Sequence, residues 1–297
     1  MKRNDLLWKA ALEDLFDDFL RFFYPDADRI FDLGRGFEYL DKELEQLFPP
    51  GTDAYAPRYV DKLVKLFTMA GTEEWVLIHV EVQGYTDDDF ARRMFQYYYR
   101  ILDQYNRPIT AIAIFADSNR KFHPKEYKRD FLGTKVCYTF NTCKIIELED
   151  AELEASNNPF AMTVLAAKLS LSRPGLKDQQ LYELAYDLSK RLLSKQMPKE
   201  KIRKVMTFLR HYLRFENPEM ITKFEQAITT LTGGGTTMGI EEFLLEQARK
   251  EGLEKGIEKG IERNAKETAL KMIKNGLDIN LIANITGLSI DVIENLE

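Results

Sequence analysis

The chain has 297 residues, with 42 Lys and Arg against 48 Asp and Glu, a formal net charge of −6. Hydrophobic residues make up 44%, enough for a sizeable core, and the length suits about two domains of ~100–200 residues. The acidic balance excludes a histone-like or coat-type nucleic-acid binder but leaves room for an enzyme with a local basic cleft.

No run of ~18 or more apolar residues offers a membrane span. The opening MKRNDLLWKAALEDLF lacks the uncharged core of a signal peptide, so a cytosolic protein is expected. Cys137 and Cys143 are too few for a disulfide scaffold or a closed zinc site.

Apolar residues at helical spacing (Leu12, Leu15, Phe16, Phe19, Phe22, Phe23) predict a helix from Asp5 to Phe23 that stops at Tyr24-Pro25. A short strand is expected around Phe37–Leu40. Strands over Arg58–Phe67 and Trp75–Gln83 follow, joined by a turn at Met69-Ala70-Gly71-Thr72. Asp89–Asn106 reads as a helix and Ile109–Phe115 as a buried strand. Val136–Phe140 and Lys144–Leu148 are further strand candidates.

From Ser156 the pattern is helical, with a start at Asn157-Asn158-Pro159 and helices over Leu176–Gln196, Lys199–Phe215 and Pro218–Leu231. Thr232 to Thr237 reads as a flexible linker. Next comes a period-four repeat in which Gly252, Gly256 and Gly260 line up beside Leu253, Ile257 and Ile261. Such a glycine lane lets a second helix approach closely and points to a homodimer; a charged tether is the plainer reading. The expected division is 1–150, a helical extension over 151–232, a linker helix over 233–263 and a small helical module over 264–297.

Chemistry concentrates in Trp75-Val76-Leu77-Ile78-His79-Val80-Glu81-Val82-Gln83-Gly84. Strand alternation puts Val76, Ile78, Val80 and Val82 on one face and His79, Glu81 and Gln83 on the other. A carboxylate in so apolar a strand is costly to bury unless paired or bound to metal. The preceding strand carries Asp61, which a hairpin would set beside Glu81. Two adjacent carboxylates repel unless a proton or divalent cation lies between them, and Mg²⁺ is held by one or two carboxylates plus phosphate oxygens and waters.

Asp61 followed by Glu81-Val82-Gln83 resembles the PD-(D/E)XK nuclease signature with Gln in the Lys position. Tyr39 to Leu44, Asp61-Lys62-Leu63-Val64-Lys65, Ile78 to Gly84, Phe90 to Tyr97, Asn158-Pro159-Phe160-Ala161 and the Glu/Gly/Lys repeat together resemble the recombination-promoting nuclease/putative transposase (Rpn) family. The resemblance covers nearly the whole chain. It implies an α/β, restriction-endonuclease-like core, a mixed central sheet flanked by helices, followed by the all-α extension and helical tail. It also implies Mg²⁺-dependent (or Mn²⁺- or Ca²⁺-dependent) DNA cleavage linked to recombination or transposition. Asp61 and Glu81 match the metal ligands and Gln83 the third catalytic position. Gln is neutral where Lys is a cation, yet its amide can still hydrogen-bond a water or a phosphate. A further acid is implied on the opening helix, with Glu13 the candidate; His79 is expected beside the site.

On the helix after the site, Arg93, Tyr97 and Arg100 share one face and Arg92 and Gln96 the adjoining one, a set suited to DNA phosphates. The plainer alternative is that Arg92 or Arg93 pairs with Asp87, Asp88 or Asp89. No Cys/His metal spacing, phosphate-binding GxxxxGK[ST] loop or GxSxG nucleophile elbow occurs.

Leu270 to Leu296 resembles a helix-turn-helix, with Gly276 ending one helix, Ile282, Ala283 and Ile285 facing inward and Gly287-Leu288-Ser289 capping a third. Beyond Lys274 the sequence has no Lys or Arg but does have Asp278, Asp291, Glu294 and Glu297, so oligomerisation or partner docking fits better than DNA reading. The rivals to a nuclease are a catalytically weak nuclease-fold protein acting as a DNA-binding or protein-interaction module, and a scaffold built on the helical tail.

Overall fold

The computed structural model describes residues 3–47, 62–81, 87–107, 109–172, 175–231, 263–273, 275 and 277–294. They divide into two compact units, one within 3–231 and one within 263–294. The Gly-rich linker and the period-four repeat lie outside the described residues. Among the described residues, no helix is long and apolar enough to cross a membrane.

The first unit is mixed α/β, with a mixed central sheet. Strands β1 (Glu38–Tyr39), β2 (Lys62–Phe67), β3 (Glu73–Glu81), β4 (Ile109–Phe115) and β7 (Asn141–Lys144) lie in the order β1-β2-β3-β4-β7. The β1–β2 and β2–β3 pairs are antiparallel; β3–β4 and β4–β7 are parallel. The turn at Met69–Thr72 closes the β2–β3 hairpin, with Gly71 at φ 82° supplying the left-handed residue. Strands β5 (Glu126–Phe131) and β6 (Thr134–Thr139) form a separate antiparallel ribbon.

Helix α5 (Phe90–Tyr105) covers one sheet face. Its Phe90, Met94, Tyr97 and Ile101 recur at helical spacing and pack with Leu63, Trp75, Leu77, Ala111, Ala113 and Phe115. The other face, including Val64, Val76, Ile78, Val80, Ile112 and Ile114, is equally buried. It lies on the side reached by the opening helix.

That opening helix is broken. It runs as α1 (Arg3–Asp14) and α2 (Phe16–Phe23), with Leu15 at φ −129° between them. The short α3 (Ala27–Ile30) and α4 (Asp41–Leu47) flank β1. Of the strand expected at Lys144–Leu148 only Lys144 joins the sheet, at the end of β7; Ile145–Glu147 form a 3-10 turn whose Ile145 and Ile146 are buried, the turn packing against the helix that starts at Pro159.

The helical extension comprises α6 (Asp150–Ala155), α7 (Pro159–Ser172), α8 (Asp178–Ser194), α9 (Lys199–Tyr212) and α10 (Pro218–Leu231). Asn158 starts α7 by accepting the Phe160 N–H at 2.8 Å and donating to the Asp18 carbonyl at 2.8 Å. Phe160 meets Trp8 and Phe19, Trp8 meets Phe208, and Lys201 pairs with Asp18 at 2.6 Å. The expected step at 150/151 is therefore a change from sheet to helix inside one compact unit.

The second unit holds α11 (263–273), α12 (Ile279–Thr286) and α13 (Ile290–Glu294) around Ala269, Ile282 and Ile293. Asp278 caps α12 by accepting the Asn280 and Leu281 N–H groups. Ile282 faces inward as expected, but Ile285 is 54% exposed, three residues round the helix from the buried position. Gly287, at φ 70°, closes α12 rather than opening the next helix.

Candidate functional site

Alternation along β3 brings His79 and Glu81 onto the face covered by α5, in line with Trp75 and Leu77. In the parallel pairing His79 stands opposite Ala113 and Glu81 opposite Phe115. Both are buried, His79 to 1% and Glu81 to 4% exposure. The Phe90 ring lies edge-on to His79 at 5.0 Å. An ionised carboxylate this deep needs a cation close by. Arg93, 2% exposed, supplies it: one guanidinium nitrogen lies 3.9 Å from Glu81 Oε2 and another 2.6 Å from Asp87 Oδ2. His79 Nε2 is 3.6 Å from the same Glu81 oxygen, beyond hydrogen-bond length.

This geometry redistributes the phosphate-binding residues expected on α5. Arg93 pairs with Asp87 and faces inward, the alternative the sequence offered for it. Tyr97 is fully buried in the sheet-facing core. Arg100 donates to the Leu47 carbonyl at 3.2 Å, Gln96 is half-buried, and Arg92 is exposed. The reason is that the i, i+4, i+7 face through Arg93, Tyr97 and Arg100 borders the same stripe as Phe90, Met94 and Ile101, which turns toward the sheet.

Glu13, expected to add a third acid, sits elsewhere. It pairs at 2.7 Å with Lys62, which also binds Asp41 and lies 5.0 Å over the Tyr39 ring. Lys62 stands opposite Ile78 in the β2–β3 register, so this cluster belongs to the opposite sheet face from Glu81. Asp61 and Gln83 lie outside the described residues. Among the described residues, no group of three or more His, Cys, Asp and Glu side chains could hold a metal. A Mg²⁺ site can be built on one or two carboxylates with water and phosphate oxygens, and of the two carboxylates expected to hold it only Glu81 lies among the described residues.

Sequence reading missed a second polar group at the same end of the sheet. Lys144 stands opposite Phe115, which stands opposite Glu81, so the three form a row across β3, β4 and β7. Lys144 Nζ lies 5.4 Å over the Phe115 ring and 2.6 Å from Asp117, both partners of that ion pair being fully buried. Nearby, His123 contacts Thr142 Oγ1 at 3.0 Å and Glu147 at 3.3 Å. Burial, helped by the positive Lys125 and Lys144, holds its imidazole below the usual range. The carboxyl ends of parallel strands are where open α/β sheets place ligand sites. No motif in the sequence signals this group, since Asp117 and Lys144 are 27 residues apart and meet only through the β4–β7 pairing.

A separate open cavity of about 500 Å³ is lined by Asp17, Arg21, Asp28, Phe31, Asp32 and Phe37, among others. Its cation, Arg21, is held by Asp17 and Asp28, both at 2.9 Å. Compared with protein-family models, curated proteins and solved structures, the chain matches none.

Proposed function

We propose that the protein is a metal-dependent DNA endonuclease with a restriction-endonuclease-like core, acting in the cytosol in DNA recombination or transposition. The observation that carries this reading is Glu81: a carboxylate at 4% exposure, at the carboxyl end of β3, with His79 and Arg93 around it. Asp61 and Glu81 would hold Mg²⁺, or Mn²⁺ or Ca²⁺, and the ion's contribution when bound is to lower the pKa of water and neutralise phosphate charge. Gln83 would orient the attacking water through its amide. His79 and Arg93 flank the Glu81 carboxylate, and the Arg93 guanidinium offsets its charge. Water adds to phosphorus, one P–O ester bond breaks, and the leaving oxygen takes a proton. Two copies of the chain would present one site to each strand.

The position of Arg93 favours a second reading, in which the fold binds DNA or a protein partner with little catalysis. A guanidinium 3.9 Å from Glu81 already neutralises the carboxylate without metal. Titrating Mn²⁺ into the wild type and Glu81→Gln by calorimetry separates the two. The nuclease reading expects binding in the wild type that the variant loses; no Mn²⁺ binding by the wild type overturns it.

A further inference from the structure

Residues 120–139 carry six Lys and Arg against two Asp and Glu, a net +4 in a chain of net −6. They build the approach to the β5–β6 ribbon and the ribbon itself. Glu126 pairs with Lys128 at 2.6 Å and Asp130 with Lys135 at 2.9 Å. Arg120, Lys121, Lys125 and Arg129 are exposed and balanced by no acid within the segment.

The tip is unusual. Phe131 is 65% exposed and Leu132 88%. Leu132 and Gly133 both have positive φ, 45° and 83°, as the central pair of a tight hairpin turn requires. Asn or Gly takes the first of these positions without strain; Leu does not, and this Leu buries almost nothing in return. Stability therefore does not account for it.

The ribbon is anchored. Tyr127 stacks on Phe95 at 5.1 Å and Tyr138 meets Tyr98 at 4.8 Å, both on α5, the helix whose Arg93 reaches Glu81.

We propose that β5–β6 is a grip for duplex DNA. Arg120, Lys121, Lys125 and Arg129 contact phosphates while the Phe131-Leu132 tip enters a groove as an apolar wedge. A two-stranded ribbon fits the major groove, and Phe and Leu are wedges that unstack base steps in the minor groove. An anionic lipid surface would need its cations ringed around the tip. Here the charges beside the tip cancel, Asp130 against Lys135, and the unbalanced cations are spread back along the ribbon and its approach. The proposal rests on the DNA reading above but not on cleavage.

The test is fluorescence anisotropy of a labelled duplex oligonucleotide with the full chain in EDTA, across a salt series. Lys125→Ala/Arg129→Ala should weaken binding roughly tenfold at low salt and flatten the slope of log K against log salt by ~2. Phe131→Ser/Leu132→Asn, which suits the positive φ, should weaken binding several-fold and leave the slope unchanged. Variants that bind like the wild type overturn the grip and leave the DNA reading standing. A wild type that binds no duplex overturns both. Tip-dependent flotation with phosphatidylserine vesicles, without duplex binding, assigns the ribbon to lipid instead and overturns the proposal. A tip-dependent dimer in sedimentation, with duplex binding unaffected by either variant, does so too.

Discussion

The guanidinium of Arg93 lies 3.9 Å from the carboxylate of Glu81, and both side chains are almost wholly withdrawn from solvent. The same guanidinium holds Asp87 at 2.6 Å. Arg93→Met would leave two buried or half-buried carboxylates without this cation, and removing one member of a buried pair costs about 3–5 kcal/mol. Urea unfolding should show that loss. Arg93→Lys should recover only part of it, because an ammonium lacks the planar fork that addresses two carboxylates at once. A loss below ~1 kcal/mol would place Arg93 among ordinary surface charges.

Asp117 and Lys144 allow a cleaner energetic test. Both side chains are fully buried at 2.6 Å, Lys144 at the end of β7 and Asp117 two residues beyond β4. Lys144→Met alone should destabilise by about 3–5 kcal/mol, whereas Asp117→Leu/Lys144→Met together should recover most of it. A double variant as unstable as the single one would show that Asp117 has further essential partners, beginning with the Asn119 N–H it accepts at 2.7 Å.

Asn158 ties the helical extension to the first helices. Asn158→Ala removes the cap on α7 and the bond to the Asp18 carbonyl. The expected loss is about 1–2 kcal/mol by denaturant unfolding, at the upper end for a cap because two bonds go. Asn158→Asp keeps the cap acceptor and should lose only the bond to Asp18.

These elements differ in how far the sequence reveals them. Helix α5 and strand β4 fall where their apolar periodicity puts them, and Asn158-Pro159 announces its helix by cap chemistry. The break at Leu15 does not show, because the apolar repeat runs through it undisturbed. Strand β5, EYKRDF, is invisible to apolar alternation because most of its residues face solvent. Its role in the ribbon is set by pairing with β6. Within the site, alternation suffices to place His79 beside Glu81. The inward turn of Arg93 and Tyr97 is decided by which helix stripe meets the sheet, and the Asp117–Lys144 pair by strand order. Neither is encoded locally.

The two thiols should behave differently. Burial pushes the Cys143 thiol up to about 12, while Cys137 is exposed on β6. In native protein at mildly alkaline pH one thiol should react with a thiol reagent, and two after unfolding. Burial also raises Tyr212 to about 12. A pKa raised by folding means that the unfolded chain gives up its proton first. The contribution of these groups is therefore complete below the ordinary thiol value of 9.0 and is lost as pH rises toward about 12. Unfolding free energy should fall with pH across that window, and Cys143→Ser should reduce the fall.

The most direct test is nicking of supercoiled plasmid with Mg²⁺, Mn²⁺, Ca²⁺ or EDTA, using the wild type beside Asp61→Ala and Glu81→Ala. A metal-dependent nuclease predicts nicking that needs Mg²⁺ or Mn²⁺ and disappears in both variants. Nicking retained in the variants, or absent with every metal, would contradict it.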